Sequence, residues 1–125
     1  MLIGVGTDIL RVSDILSSSL KENDPFFKKT YAPKEVKQAK KREIPAYYYA
    51  TRFAGKEAVF KCMGIHSDGV SLNEIVIIDD ENGQPHVTLE GRLKELAREK
   101  NIADILISLS YDKDYAVAYA AAQSV

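Results

Sequence analysis

The sequence predicts an α+β fold, a single domain in which a mainly antiparallel β-sheet packs against one long helix. Three observations predict it. Apolar and small residues alternate with period two at both ends of the chain, through Ile3, Val5 and Thr7 and again from Ile105 to Ala120. A helical pattern runs from about Ala46 to Met63 between Pro45, which opens it, and Gly64, which closes it in a left-handed cap. The remaining strands outnumber crossover helices and are joined as hairpins, which favours antiparallel pairing.

Residues 2 to 8 form the first strand, with Ile3, Val5 and Thr7 on one face and Gly4, Gly6 and Asp8 on the other. Ile9, Val12, Ile15, Leu16 and Leu20 recur at helical spacing, so a helix is expected from about Arg11 to Lys21, stopped by Asn23-Asp24-Pro25. Phe26 to Tyr31 is a basic and aromatic connector, and Ala32-Pro33-Lys34-Glu35 starts a short helix that ends before Pro45. After the long helix comes a polar loop, His66-Ser67-Asp68-Gly69. Glu74 to Asp79 and His86 to Leu89 are strands joined by the turn Asp80-Glu81-Asn82-Gly83. Leu89, Leu93, Leu96 and Ala97 mark an amphipathic helix ending near Asn101. In the last strand Tyr115, Val117 and Tyr119 oppose Ala116, Ala118 and Ala120, a face small enough for the long helix or a neighbouring subunit to approach closely.

Two carboxylates stand where a carboxylate is costly. Asp8 shares its face with two strand glycines, which mark close approach by another backbone or a ligand. Glu57 lies on the apolar stripe of the long helix with Phe53, Ala54 and Phe60, where a charge costs several kcal/mol, roughly, unless it is paired or holds a metal. Packing the helix on the glycine face brings the two together, and Mg2+ suits a site of one or two carboxylates completed by water and phosphate oxygens. Arg52, Lys56 and Lys61 on the same helix are cations suited to phosphate. The structural alternatives are a turn or capping role for Asp8 and an i,i+4 ion pair from Glu57 to Lys61.

At 125 residues the chain holds one domain, residues 1–125, and shows neither internal repeat nor low-complexity segment. A 46% hydrophobic and 28% charged composition is that of a soluble globule, and a net charge of -1 gives no bulk attraction to nucleic acid or membrane. The single cysteine, Cys62, has no partner for a disulfide and is expected to be a small buried hydrophobe, since neither His66 nor His86 is placed to activate it. No signal peptide is expected, because the N-terminus lacks a basic region, and no run approaches the roughly 20 apolar residues of a membrane span. A cytoplasmic location is expected.

Gly4-Val5-Gly6-Thr7-Asp8-Ile9, then Arg52-Phe53-Ala54-Gly55-Lys56-Glu57-Ala58 with Lys61 and Gly64, then Ser108-Leu109-Ser110 and Tyr115-Ala116-Val117-Ala118, resemble holo-acyl-carrier-protein synthase, the small bacterial type of 4'-phosphopantetheinyl transferase. The resemblance spans nearly the whole chain in order. It implies transfer of the phosphopantetheine arm of coenzyme A to a serine of apo acyl carrier protein, in fatty acid biosynthesis, with release of adenosine 3',5'-bisphosphate. It implies Mg2+ on Asp8 and Glu57, Lys61 at the same phosphates, and Arg52 and Lys56 as further phosphate contacts. Removal of the serine proton would fall to a metal-bound water or to Glu57, and the sequence does not decide between them. The resemblance also implies a grip on the adenine and ribose near Gly64 and by the turn Asn82-Gly83-Gln84-Pro85 of an adjacent subunit, in a homotrimer with its sites between subunits.

Two positions depart from that family. Tyr111 stands near the coenzyme phosphates where relatives have histidine, and Asp14 occupies an expected basic position of the first helix, leaving Arg11, Lys21, Lys28 and Lys29 to attract an acidic carrier protein. Tyr111 supports a rival, a catalytically impaired coenzyme A-binding module or structural trimer of the same fold. A phosphotransfer enzyme of unrelated fold lacks support, for there is no Walker-type loop.

Overall fold

Strand β1 (Leu2–Arg11) pairs antiparallel with β5 (Tyr115–Ser124), and the other edge of that strand pairs antiparallel with β4 (Ile102–Tyr111). The computed structural model describes residues 1–17, 24–65 and 69–125; the expected helix end at Leu20 and Lys21, the stop at Asn23 and the loop residues His66, Ser67 and Asp68 lie outside them. Helices α1 (Val12–Ser17), α2 (Pro25–Thr30) and α3 (Pro33–Ala39) lead to α4 (Pro45–Met63). A second, two-stranded sheet of β2 (Ile75–Asp79) and β3 (Pro85–Leu89) follows, then α5 (Gly91–Glu99). The expected fold class holds. Phe26 to Tyr31, expected as a connector, is mostly helix, because Asp24 caps it by accepting from the Phe26 N–H at 2.8 Å and Pro25 presets its first turn.

The registers explain why α4 lies where it does. On the inner sheet face Asp8 stands opposite Ala118, and Ala118 opposite Leu109. Ala116, Ala118, Ala120 and Ala122 are fully buried there. A Cβ added to Gly6 would collide with the Ala58 carbonyl oxygen, and one on Gly4 with that of Cys62. The helix backbone thus rests directly on the strand. The alanine face is therefore taken by α4 and not left for a neighbouring subunit.

The opposite face exposes Val5, Ile9, Leu106, Val117 and Tyr119, with Ile9 at 64%. Most of α4 is buried, flanked by Ile75, Ile77 and Leu93 on one side and by the ring cluster Phe27, Tyr31 and Tyr49 on another. Each fully buried aliphatic side chain contributes about 1.5–3 kcal/mol. Cys62 is buried as expected, and burial pushes its thiol up to about 11, away from nucleophilic use.

Candidate active site

On α4, residues four apart share a face, and the helix sorts its charged residues accordingly. Glu57 and Lys61 turn toward Asp8 of β1, whereas Arg52 and Lys56 turn toward β2. Lys61 Nζ donates to the Thr7 carbonyl oxygen at 2.9 Å and lies 3.3 Å from Asp8 Oδ1. Burial, then the nearby charge of Asp8, holds the Glu57 carboxyl above the ordinary carboxylate range, and Lys61 opposes the shift. The glycine face thus brings Asp8, Glu57 and Lys61 together as expected. This is two carboxylates and one ammonium at the rim of a sheet, with Lys61 largely exposed and Asp8 half-buried.

Among the described residues no group of three or more His, Cys, Asp or Glu comes together. Two hard oxygen donors are what a magnesium site borrows from a protein when phosphate and water complete the shell, so the donor set fits that ion.

Lys56 does not join this site. Its ammonium is fully buried, lies 2.6 Å from Glu35 Oε1, donates to the Leu72 carbonyl at 3.1 Å and donates to the Ile75 carbonyl. All three donors are spent, so the expected contact of Lys56 with a coenzyme phosphate is corrected to a structural one. Burial pulls its pKa down, and Glu35 holds it up.

A second group gathers on the other side of α4. A cavity of about 440 Å³ is lined by Arg42, Glu43, Ile44, Tyr47, Tyr48, Thr51, Arg52, Asp79, Gly83, Pro85, Leu109 and Tyr111. It collects four of the residues expected at the coenzyme: Arg52, Gly83, Pro85 and Tyr111. The ring of Tyr111 stacks on Tyr47 at 5.0 Å, and the Arg52 guanidinium lies 3.9 Å above Tyr48. Burial raises the Tyr48 phenol to about 12, against the opposing charge of Arg52. Gly83 has φ 82 in the expected turn, closed by its N–H to the Asp80 carbonyl. Gly64 is elsewhere, at the left-handed C-cap of α4 with φ 66.

Sheet order sets the distance between the groups. Asp8 and Leu109 lie on the outer two strands of a three-stranded sheet, about 9–10 Å apart, with α4 over the middle.

Residues 4–120 match the model of the ACPS family, described as the 4'-phosphopantetheinyl transferase superfamily. The chain belongs to that superfamily. It is 34% identical over 125 residues to the holo-[acyl-carrier-protein] synthase of Hydrogenovibrio crunogenus, covering 99% of this chain and 98% of that one. The structure of holo-[acyl-carrier-protein] synthase from Neisseria meningitidis superposes with a TM-score of 0.89 at 30% identity, over 99% of this chain and 100% of the other. The ACPS of Chronobacterium ammoniagenes, solved as a complex with coenzyme A, superposes with a TM-score of 0.84 at 26% identity, over 98% of this chain and 97% of the other.

Arg42, Tyr47, Tyr48 and Asp79 were not among the site residues expected from sequence, yet they line this transferase's cavity. Arg42 ends a lysine-rich segment and the tyrosines stand just past Pro45, so a cationic and aromatic cluster was visible there. Nothing in the sequence marks Asp79, which ends a strand beside a turn rich in acids.

Proposed function

We propose that this chain is a holo-acyl-carrier-protein synthase that moves the phosphopantetheine arm of coenzyme A onto a serine hydroxyl of apo acyl carrier protein. The observation that carries this reading is the carboxylate pair Asp8 and Glu57, set beside Lys61 by a helix resting on strand glycines, in a member of the transferase superfamily. In the reaction the serine oxygen bonds to the phosphorus that carries the pantetheine arm. The bond from that phosphorus to the bridging oxygen breaks, and adenosine 3',5'-bisphosphate leaves with the electron pair.

Such displacements need positioning and charge neutralisation more than covalent participation. Asp8 and Glu57 are the residues that would hold Mg2+, which when bound supplies neutralisation of the pyrophosphate charge. Lys61, anchored on the Thr7 carbonyl but mostly exposed, supplies a mobile cation for the same phosphates. Glu57 is also the carboxylate of this site that could take the serine proton, the alternative being a water molecule.

The carboxylate group and the cavity with Arg42, Arg52 and Tyr111 lie on opposite edges of one sheet. We infer that a homotrimer joins the carboxylates of one subunit to the cavity of the next, with Gly64 at the seam. The apolar sheet face of Val5, Ile9, Val117 and Tyr119 supports such an assembly, being the surface a second copy would cover. The exposed Arg11, Lys28 and Lys29 suit an acidic carrier protein. No helix among the described residues is long and apolar enough to cross a membrane, and a cytoplasmic place in fatty acid biosynthesis fits the proposed substrates.

Intact mass of apo acyl carrier protein after incubation with this chain, coenzyme A and Mg2+ tests the proposal. The expected result is a gain of one phosphopantetheine that vanishes with Asp8→Ala, with Glu57→Ala and with EDTA. Tyr111, exposed and stacked on Tyr47 where the family pattern has histidine, favours the second reading of an impaired coenzyme A-binding module. Coenzyme A binding without any gain of mass would establish that one.

A further inference from the structure

The cavity wall carries two cations, Arg42 and Arg52, and two acids, Asp79 and Glu43. Asp79 bridges both arginines: its Oδ2 lies 2.7 Å from Arg42 Nη2 and its Oδ1 2.7 Å from Arg52 Nη2. The two arms of this bridge differ. Arg52 is 5% exposed, fixed by donating from Nε to the Ile77 carbonyl and from Nη1 to Thr51, and covers the Tyr48 ring. Arg42 is 42% exposed, and among the described residues its guanidinium has, beyond its contact with Asp79, only the Tyr48 ring, 5.3 Å away, beneath it.

The Asp79 backbone is held in place between them. Its N–H donates to Gln38 Oε1 and its carbonyl accepts from Gln38 Nε2, both at 2.9 Å, while Gln38 Oε1 also accepts from Tyr48. Arg52 Nη2 sits off the hydrogen-bonding direction of its carboxylate partner, so a buried donor is left without a directed acceptor beside the cavity.

We propose that Asp79 is a resident counter-anion: it holds both arginines at the cavity wall and yields Arg42 to an incoming phosphate monoester. A carboxylate carries one negative charge and a phosphate monoester close to two at neutral pH, so only the monoester outcompetes Asp79 for the mobile guanidinium. A neutral hydroxyl at the same place cannot. Asp79 is thus a positioning residue that tempers the preference for a phosphorylated nucleotide end, because the monoester must displace it from Arg42 and an end without the monoester need not. The inference rests on the cavity taking the nucleotide end of coenzyme A, as proposed above.

The test is calorimetric binding of coenzyme A and of dephospho-coenzyme A, which lacks only the monoester, to the full chain at one ionic strength. Asp79→Asn keeps an acceptor for the arginines and removes the charge, so the affinity ratio of the two ligands is expected to rise about tenfold. Arg42→Gln should bring that ratio toward one. A purely structural Asp79 would shift both affinities in parallel, and an unchanged ratio in Asp79→Asn overturns the proposal. If Asp79→Asn fails to fold, Arg42→Gln decides, because discrimination retained in that variant is equally fatal. Failure of either ligand to bind the wild-type chain would instead overturn the coenzyme reading beneath it.

Discussion

Two lysine–carboxylate pairs on one helix show how the same chemistry serves opposite ends. Lys56 and Glu35 are both fully buried at 2.6 Å, and Glu35 also accepts from the Ala32 and Ile77 N–H groups at 2.9 Å each. Every donor and acceptor there is used, which ties α3, α4 and β2 together and leaves nothing for a ligand. Lys61 and Asp8, one turn along, are 55% and 18% exposed and 3.3 Å apart. That looser pair keeps its capacity to bind something else. An exposed pair contributes little to stability, about 0–1 kcal/mol, whereas breaking a buried one costs about 3–5 kcal/mol. The proposed reactive pair therefore stands where stability does not depend on it.

The comparison is broken most severely by removing a carboxylate from the open side. Asp8→Ala or Glu57→Ala should lower the rate of transfer to carrier protein by about a thousandfold while urea denaturation midpoints stay close to wild type. On the closed side Lys56→Met is expected to cost about 3–5 kcal/mol in urea denaturation, since Glu35 is left as an unpaired buried charge, and Glu35→Leu together with Lys56→Met should recover part of that loss. Between the two lies Gly6→Ala, whose Cβ meets the Ala58 carbonyl. It should cost about 1–3 kcal/mol by the same assay and also slow transfer, because α4 must shift away from Asp8.

The smallest effect is in pH. The Glu57 carboxyl is raised above its ordinary 4.5, so the folded chain holds that proton more tightly than the unfolded one. Its contribution to stability is complete below the ordinary carboxylate range and is lost as pH rises through the raised value. Glu57→Gln should therefore be slightly more stable than wild type at neutral pH and not at pH below 4.5.

The open side was legible in the sequence because its signals are local. Period two puts Gly4, Gly6 and Asp8 on one face, and a helix spacing of four puts Glu57 with Lys61. The closed side was not, since Lys56 meets a carboxylate 21 residues earlier and two carbonyls at Leu72 and Ile75, contacts that no periodicity announces. Lys56 and Arg52 were grouped with Lys61 on composition alone, whereas a 100° step per residue separates them. The alanine face of β5 was legible as a close-approach surface for the long helix or a neighbouring subunit, and what decides for α4 is the antiparallel pairing with β1 that sets the strand glycines beside it. Asp79 entered only through the fold, because Gln38 of α3, Arg52 of α4 and Arg42 of the segment between them all reach it.

The most direct measurement compares Lys56→Met with Lys61→Met, each assayed side by side for urea stability and for the rate of phosphopantetheine gain by carrier protein. Lys61→Met should melt like wild type and transfer slowly, whereas Lys56→Met should be destabilised by several kcal/mol, roughly, yet transfer near the wild-type rate per folded molecule. A Lys61→Met variant that unfolds with its rate intact, or a stable Lys56→Met variant that has lost transfer, would contradict the division of roles between the two pairs.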